Sequence, residues 1–284
     1  MKNAQYIYKF TVMTTLCEVH IYDKSESHAR EVAKNILTMA KGLEKKYNFY
    51  DKESYLFALN KRNTKILDPQ TKELLLRAKQ FYEKTQGVFD VTMGTLSVLQ
   101  SVNSLDQREE KRAILTPFVG SEHFKIKHNK LFFDNPHTSI DLGGFVKEFA
   151  VDLAIKILKK AKITSALVNF GGDIYALGEK PSNSPFLVGI KNPLNHSTYI
   201  SNVELRDEAL TTSASYERSV KIETEIYSHI FSKENQLQQE IISATVMASS
   251  VVESGVFSTA LMVNPHLKCN LKKILITKEG ILHK

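Results

Sequence analysis

The stretch Ile163-Thr164-Ser165-Ala166-Leu167-Val168-Asn169-Phe170-Gly171-Gly172-Asp173-Ile174 decides how this chain is read. Its apolar run, Ala166-Leu167-Val168, has the character of a buried strand that stops at Asn169. Gly171 and Gly172 lack Cβ atoms, so the backbone there is free to take positive φ and to lie close to a ligand. Asp173 then stands at the mouth of the next strand. On its own, an Asn and an Asp around Gly-Gly is equally the pattern of a tight β-turn.

The chain has one other Gly-Gly pair, in Ser139-Ile140-Asp141-Leu142-Gly143-Gly144-Phe145-Val146-Lys147. Here a strand end carries Asp141, a glycine turn follows, and a helix opens with Lys147 in its first turn. Phe145, Val146, Phe149, Ala150, Leu153, Ala154, Ile157, Leu158 and Ala161 keep helical spacing. A glycine turn that opens a helix offers N–H groups and the positive end of the helix dipole to an anion such as phosphate. The turn is neither a P-loop nor a dinucleotide fingerprint, because G-x-x-x-x-G-K-[ST] and G-x-G-x-x-G are both absent.

Outward from these two turns, residues 6–12 and 15–22 read as a strand pair meeting near Met13-Thr14-Thr15. Residues 25–47 form an amphipathic helix with Ala29, Val32, Ala33, Ile36, Leu37, Ala40, Leu43 and Tyr47 on one stripe. A short helix ends near Asn60, another spans 70–86 and closes at Gly87, and 95–115 is mostly helical. Short strands follow at 123–127, 130–134 and 138–141, then at 165–169, 173–178, 185–190, 199–206, 217–223 and 239–247. An apolar helix spans 250–263, and 272–277 closes the sheet. Hairpins outnumber strand–helix alternations, so the class is α+β and not doubly wound.

At 284 residues the chain is long enough for a substantial core. A hydrophobic share of 42% and a charged share of 24% are those of an ordinary globular protein. The net charge of +7 suits an anionic ligand, but the lysines are spread along amphipathic helices. No basic block interleaved with aromatics occurs, which speaks against nucleic-acid binding. Cys17 and Cys269 have no C-x-x-C spacing, which argues against a zinc site. No apolar h-region, lipobox-like cysteine or membrane-length apolar run occurs. The expected location is therefore the cytoplasm, or the periplasm if an export signal has been removed.

The motifs fall in an order that resembles the ApbE family of FAD:protein FMN transferases. They are Asp141-Leu-Gly-Gly-Phe-Val-Lys147, Asn169-Phe-Gly-Gly-Asp173-Ile, Thr212-Ser213-Ala-Ser-Tyr216-Glu217-Arg218, His229-Ile230 and Ser258-Thr259-Ala260-Leu261. Met13-Thr14-Thr15, Ser54 with Leu59-Asn60, and Phe89-Asp90-Val91-Thr92-Met93-Gly94-Thr95-Leu96 extend the match. The resemblance runs from about residue 13 to residue 263. It implies a single ApbE-like, T-fold-related α+β domain of mixed or antiparallel sheets and packed helices over 1–284. An N-terminal lobe of about 1–120 and a C-terminal lobe of about 121–284 would hold an FAD cleft between them.

The resemblance further implies that FAD and Mg²⁺ bind, that FMN passes to a Ser or Thr hydroxyl of an acceptor flavoprotein, and that AMP leaves. Met13, Asp90, Val91, Thr92, Asp141, Lys147, Asp173, His229 and Ile230 would line the FAD. Lys147 would meet a pyrophosphate oxygen, and His229 would position or deprotonate the acceptor hydroxyl. Thr212 and Ser213 would bond the cofactor or cap a turn. The metal would rest on the Gly144 carbonyl, Ser258 and Thr259.

Four departures from the family pattern bear on activity. The family's Asp-x-x-[Ser/Thr]-Thr turn begins with Gly255, the Gly after the helix lysine is Glu148, and the Gly of Thr-Ser-Gly is Ala214. The loop after His229 carries Ser232 and Gln236 where the family has Asp and Gly. Two alternatives to transfer therefore stay open on sequence alone: a flavin-binding homologue without catalysis, and an FAD pyrophosphatase.

Overall fold

The computed structural model describes residues 3–102, 104–215, 219–222, 225–228, 241–277 and 279–283. Two strands, β1 (Ala4–Val12) and β2 (Thr15–Asp23), open the chain as a hairpin. Helix α1 (Glu26–Tyr47) follows, capped by Ser25, whose side chain accepts from His28 N at 3.3 Å. Helix α2 (Tyr55–Asn60) is capped in the same way by Ser54. Helix α3 (Pro69–Lys84) has Asp68 as its cap and Pro69 in its first turn. Past its end Gly87 takes φ +82, and its N–H donates to Tyr82 O at 2.7 Å, as at other glycine-terminated helices.

A 3-10 segment (Val91–Ser101) and helix α4 (Leu105–Leu115) occupy the region read as mostly helical. The hairpin of β3 (Phe124–Lys127) and β4 (Lys130–Phe133) leads to helix α5 (Gly143–Lys160). Then come β5 (Ala166–Phe170), β6 (Asp173–Leu177), β7 (Phe186–Asn192), β8 (Asn195–Leu205), β9 (Glu208–Ala214), β10 (Ser219–Ile222) and β11 (Glu225–Ser228). Strand β12 (Ile241–Ala248), helix α6 (Val251–Val263), β13 (Lys273–Thr277) and β14 (Gly280–His283) complete the chain.

Eight strands form one sheet in the order β1-β2-β5-β6-β9-β12-β13-β14. Every pairing among the described residues is antiparallel, as expected of an α+β chain built from hairpins. The sheet draws on both ends of the sequence, since β2 pairs directly with β5. Alternation along each strand gives the sheet two apolar faces. One packs Val19, Ile21, Val168, Ala209, Ala244 and Val246 against α1, α5 and α6. The other packs Ile174, Ala176, Leu210, Met247, Ile274 and Ile276 beneath the β7–β8 hairpin. No described helix is long and apolar enough to cross a membrane.

Two strand assignments differ from the sequence reading. Residues 138–141 are not a strand, because their N–H groups find side chains and a 3-10 carbonyl in place of a neighbouring strand. Ser139 N donates to Thr95 Oγ1 (3.0 Å), Ile140 N to Asn60 Oδ1 (2.8 Å) and Asp141 N to Val91 O (2.7 Å). Conversely, β9 is a central strand that the sequence reading passed over, since Thr211-Thr212-Ser213 breaks the apolar pattern. Its polar side chains are paired by neighbours rather than by water.

A glycine substitution tests how this sheet closes. At Gly171 φ is +62 and a Cβ would stand 2.2 Å from Thr15 Oγ1, whereas a Cβ at Gly42 in α1 meets nothing within 4 Å. Gly171→Ala is expected to lower unfolding free energy by about 1–3 kcal/mol, the cost of a residue held in an unfavourable backbone region. Gly42→Ala is expected to raise it by about 0.5–1 kcal/mol. Urea unfolding of both variants measures the contrast.

Candidate active site at the glycine-turn end of the sheet

At one end of the sheet β2 begins, β5 turns into β6 and β9 finishes. Phe170 and Asp173 face each other across a two-residue turn in which Gly171 and Gly172 take φ +62 and +96. Positive φ at both central positions is the geometry that suits the twist of a hairpin. Asn169 Oδ1 accepts from Gly172 N at 2.8 Å and fixes the turn. The turn lies on the start of β2, where Gly171 N donates to Leu16 O at 3.2 Å. Met13 and Thr14, at φ 53 and 60, form the adjacent β1–β2 turn, and Met13 N donates to Glu44 Oε1 of α1 at 2.6 Å.

The second Gly-Gly stretch arrives at the same place. Lys147, in the first turn of α5, donates from Nζ to Asp173 Oδ2 and reaches the Phe170 carbonyl at 3.5 Å. Asp173 is only 2% exposed. The sequence put both groups in one cleft; the structure joins them in a buried ion pair. A partner is what makes a buried carboxylate tolerable.

Asp141 sits at the entry to α5. Its Oδ1 accepts from Gly143 N at 2.8 Å, and burial pushes its carboxyl above the usual carboxylate range. The segment around it is pinned by Asn60, whose Nδ2 donates to Ile140 O at 2.8 Å while its Oδ1 accepts from Ile140 N. Gly94 lets the 3-10 segment lie against it, since a Cβ there would stand 2.8 Å from Asp141 N. Asp90 and Thr92 turn inward: Asp90 Oδ1 accepts from Thr92 N and Thr92 Oγ1, and Thr92 Oγ1 accepts from Gly120 N at 2.8 Å. With Val91, whose carbonyl holds Asp141 N, they brace the wall that carries Asp141.

Helix α6 adds a row of hydroxyls against β9. Thr211 Oγ1 meets Ser254 Oγ at 2.9 Å, and Ser213 Oγ meets Ser258 Oγ at 2.8 Å and Thr259 Oγ1 at 3.2 Å. Thr212 points to the opposite face and meets Thr245 Oγ1 at 2.8 Å. Neither Thr212 nor Ser213 caps a turn. The start of α6 is held by Asp152 of α5, which accepts from Val251 N at 2.8 Å and Val252 N at 3.3 Å.

Between α5 and α6 lies Glu148, 6% exposed. A Cβ at Gly255 would stand 2.5 Å from Glu148 Cγ and 3.2 Å from its Cδ and Oε1. Glu148 Oε2 has no hydrogen-bond partner. Burial, and next the negative charge of Asp173, push this carboxyl up to about 8, with Lys147 opposing. Gly144 departs from helical geometry (φ −88, ψ 19), and Ser258 Oγ donates to Gly255 O at 3.0 Å. Among the described residues no three His, Cys, Asp or Glu side chains form a metal-holding group. His229, Ile230, Ser232 and Gln236 lie outside the described residues. Surface hollows along α3 and beside β8 and β13 include none of these side chains.

A model of the ApbE family matches residues 13–271. The chain belongs to the ApbE family. It is 27% identical over 228 residues to a Vibrio cholerae protein named FAD:protein FMN transferase, a match covering 75% of this chain and 67% of that one. A Rhodobacter capsulatus protein of the same name is 26% identical over 265 residues, covering 89% of this chain and 50% of that one. The crystal structure of the ApbE protein from Thermotoga maritima superposes with a TM-score of 0.87 at 23% identity, covering 99% of this chain and 97% of that one. That likeness establishes the α+β ApbE fold.

In this ApbE chain Glu148 is the buried residue whose surroundings the sequence concealed. It stood there only as a departure from the family's Gly after the helix lysine; its position against Gly255 is visible only in three dimensions.

The Lys147–Asp173 pair gives a stability test. Lys147→Met leaves Asp173 buried without its cation and is expected to cost about 3 kcal/mol. Lys147→Met/Asp173→Leu is expected to regain a large part of that, and guanidinium unfolding at one pH compares the two.

Proposed function

We propose that this chain is an FAD:protein FMN transferase that uses Mg²⁺ and delivers FMN to a Ser or Thr hydroxyl of an acceptor flavoprotein. The observation that carries the reading is the convergence of both glycine turns on the Lys147–Asp173 pair. The reading is supported by the Lys147 ammonium group lying against Asp173 and the Phe170 carbonyl, next to the left-handed Gly171-Gly172 turn. The names of the relatives and the family membership agree with it.

Phosphoryl transfer asks a protein mainly for positioning and for charge opposite the developing anion. Lys147, oriented by Asp173, faces a pyrophosphate oxygen. Met13 and the Asp90–Thr92 wall, which presents Asp141, border the flavin nucleotide. The acceptor hydroxyl oxygen attacks the phosphorus on the FMN side of FAD. The bond from that phosphorus to the bridging oxygen breaks, and AMP departs with the bridging oxygen. By the family resemblance the hydroxyl proton would pass to His229 and Ile230 would line the FAD; both lie outside the described residues.

The oxygens along the α5–α6 seam are of the kind that suits a hard cation: the Ser258 and Thr259 hydroxyls, the carbonyl of the non-helical Gly144, and a buried Glu148 carboxyl oxygen without a hydrogen-bond partner. Gly144, Ser258 and Thr259 would hold Mg²⁺, which offsets charge on the pyrophosphate oxygens when bound.

Incubation of the protein with FAD, Mg²⁺ and a flavoprotein fragment bearing the acceptor Ser or Thr, read by mass spectrometry, tests this. The expected products are acceptor heavier by one FMN phosphoester and an equal amount of AMP. Free FMN and AMP with unmodified acceptor would reassign the chain as an FAD pyrophosphatase. Neither product across a range of Mg²⁺ would overturn the proposal. Lys147→Ala is expected to slow transfer by about 100-fold, the scale for removing one charge-stabilising donor.

A further inference from the structure

We propose that Glu148 supplies the carboxylate of the divalent-cation site, reaching across Gly255 from α5 to take the part of the aspartate that α6 lacks. The inference rests on the transferase reading for the identity of the site, and on this chain's own geometry for the ligand.

The family pattern has Gly after the helix lysine and Asp at the head of the α6 turn; this chain has Glu148 and Gly255. The two departures look independent along the sequence, but in space they are one exchange. Any side chain at 255 would start 2.5 Å from Glu148 Cγ, so Glu148 requires Gly255. Glu148 Cδ and Oε1 each lie 3.2 Å from where that Cβ would be, within the reach of a short acid at 255. The Glu148 carboxyl stands at the α5–α6 seam, against the position at the head of the α6 turn.

The electrostatics point the same way. Glu148 is buried, Oε2 lacks a hydrogen-bond partner, and the negative charge of Asp173 faces it. Lys147, the adjacent cation, is drawn onto Asp173, and Asp152, one turn further along α5, spends its oxygens on the α6 amides. A buried acid with an unused oxygen calls for an explanation, and an ion is among the few available. A divalent cation held by Glu148 and the Ser258–Thr259 hydroxyls would supply positive charge beyond that of Lys147. If Glu148 were merely a protonated filler of the space over Gly255, a glutamine of the same shape would serve as well.

Mn²⁺ binding read by electron paramagnetic resonance, with FAD at saturating concentration, separates these cases. Wild type is expected to bind Mn²⁺ and to show a Mn²⁺-dependent rise in melting temperature. Glu148→Gln is expected to stay folded, to weaken Mn²⁺ binding about tenfold or more, and to lose the Mn²⁺-dependent rise. Glu148→Gly/Gly255→Asp, which returns the acid to α6, is expected to recover Mn²⁺ affinity to within a few-fold of wild type. Unchanged Mn²⁺ binding in Glu148→Gln would overturn the inference, whatever the catalytic result. If Glu148→Gln does not fold, failure of the exchange variant, itself folded, to bind Mn²⁺ overturns it. Failure of the transferase reading is a separate result: Mn²⁺ bound through Glu148, with no modified acceptor and no AMP.

Discussion

The ion pair between Lys147 and Asp173 is the interaction on which this end of the molecule depends. It joins the first turn of α5 to the β5–β6 hairpin, two elements that the chain builds separately. Each lies beside a Gly-Gly sequence, but the two glycine pairs do different work. Gly171 and Gly172 take left-handed φ and close the hairpin tightly enough to seat it against Thr15. Gly143 and Gly144 open a helix without left-handed backbone, and the non-helical Gly144 leaves the start of α5 irregular. The buried acid thus holds its lysine at the glycine-turn end of the sheet.

Close approach is the second constraint. Gly94 admits Asp141 to the 3-10 segment, Gly171 admits Thr15 to the hairpin, and Gly255 admits Glu148 to α6. At each point a Cβ would fall within 3 Å of a neighbouring atom, tighter than packed atoms tolerate. The site is assembled from short contacts between elements, with the main sheet as the platform. The hydroxyls of Thr211, Ser213, Ser254, Ser258 and Thr259 satisfy one another across the β9–α6 contact, which allows Thr211, Ser254 and Ser258 to be buried.

Much of this was legible in the sequence, for identifiable reasons. The α1 and α5 stripes keep helical spacing along their whole length, and the caps Ser25, Ser54 and Asp68 stand where the helices begin. The Gly-Gly turn of β5–β6 announces itself because nothing but glycine satisfies positive φ twice in succession at no steric cost. Strand β9 was hidden because Thr211, Thr212 and Ser213 are polar on both faces, and their partners come from α6 and β12. Residues 138–141 mimic a strand because their backbone is bonded throughout, though to Asn60, Thr95 and Val91. Asn60 and Gly94 fix the Asp141 segment, and Ser54 caps the helix that carries Asn60. The contact of Glu148 with Gly255 was illegible for a simpler reason, since the two are far apart in sequence and only the packing of α5 on α6 shows that they meet.

The central claim is that the glycine turns and Lys147 recognise the diphosphate of a flavin dinucleotide. Comparing the binding of FAD with that of riboflavin, which carries the same ring and no phosphate, by quenching of flavin emission in the presence of Mg²⁺ tests it most directly. The account predicts saturable FAD binding and riboflavin binding weaker by on the order of a hundredfold, or about 2.8 kcal/mol. Equal affinity for the two would place recognition in the flavin ring and contradict it.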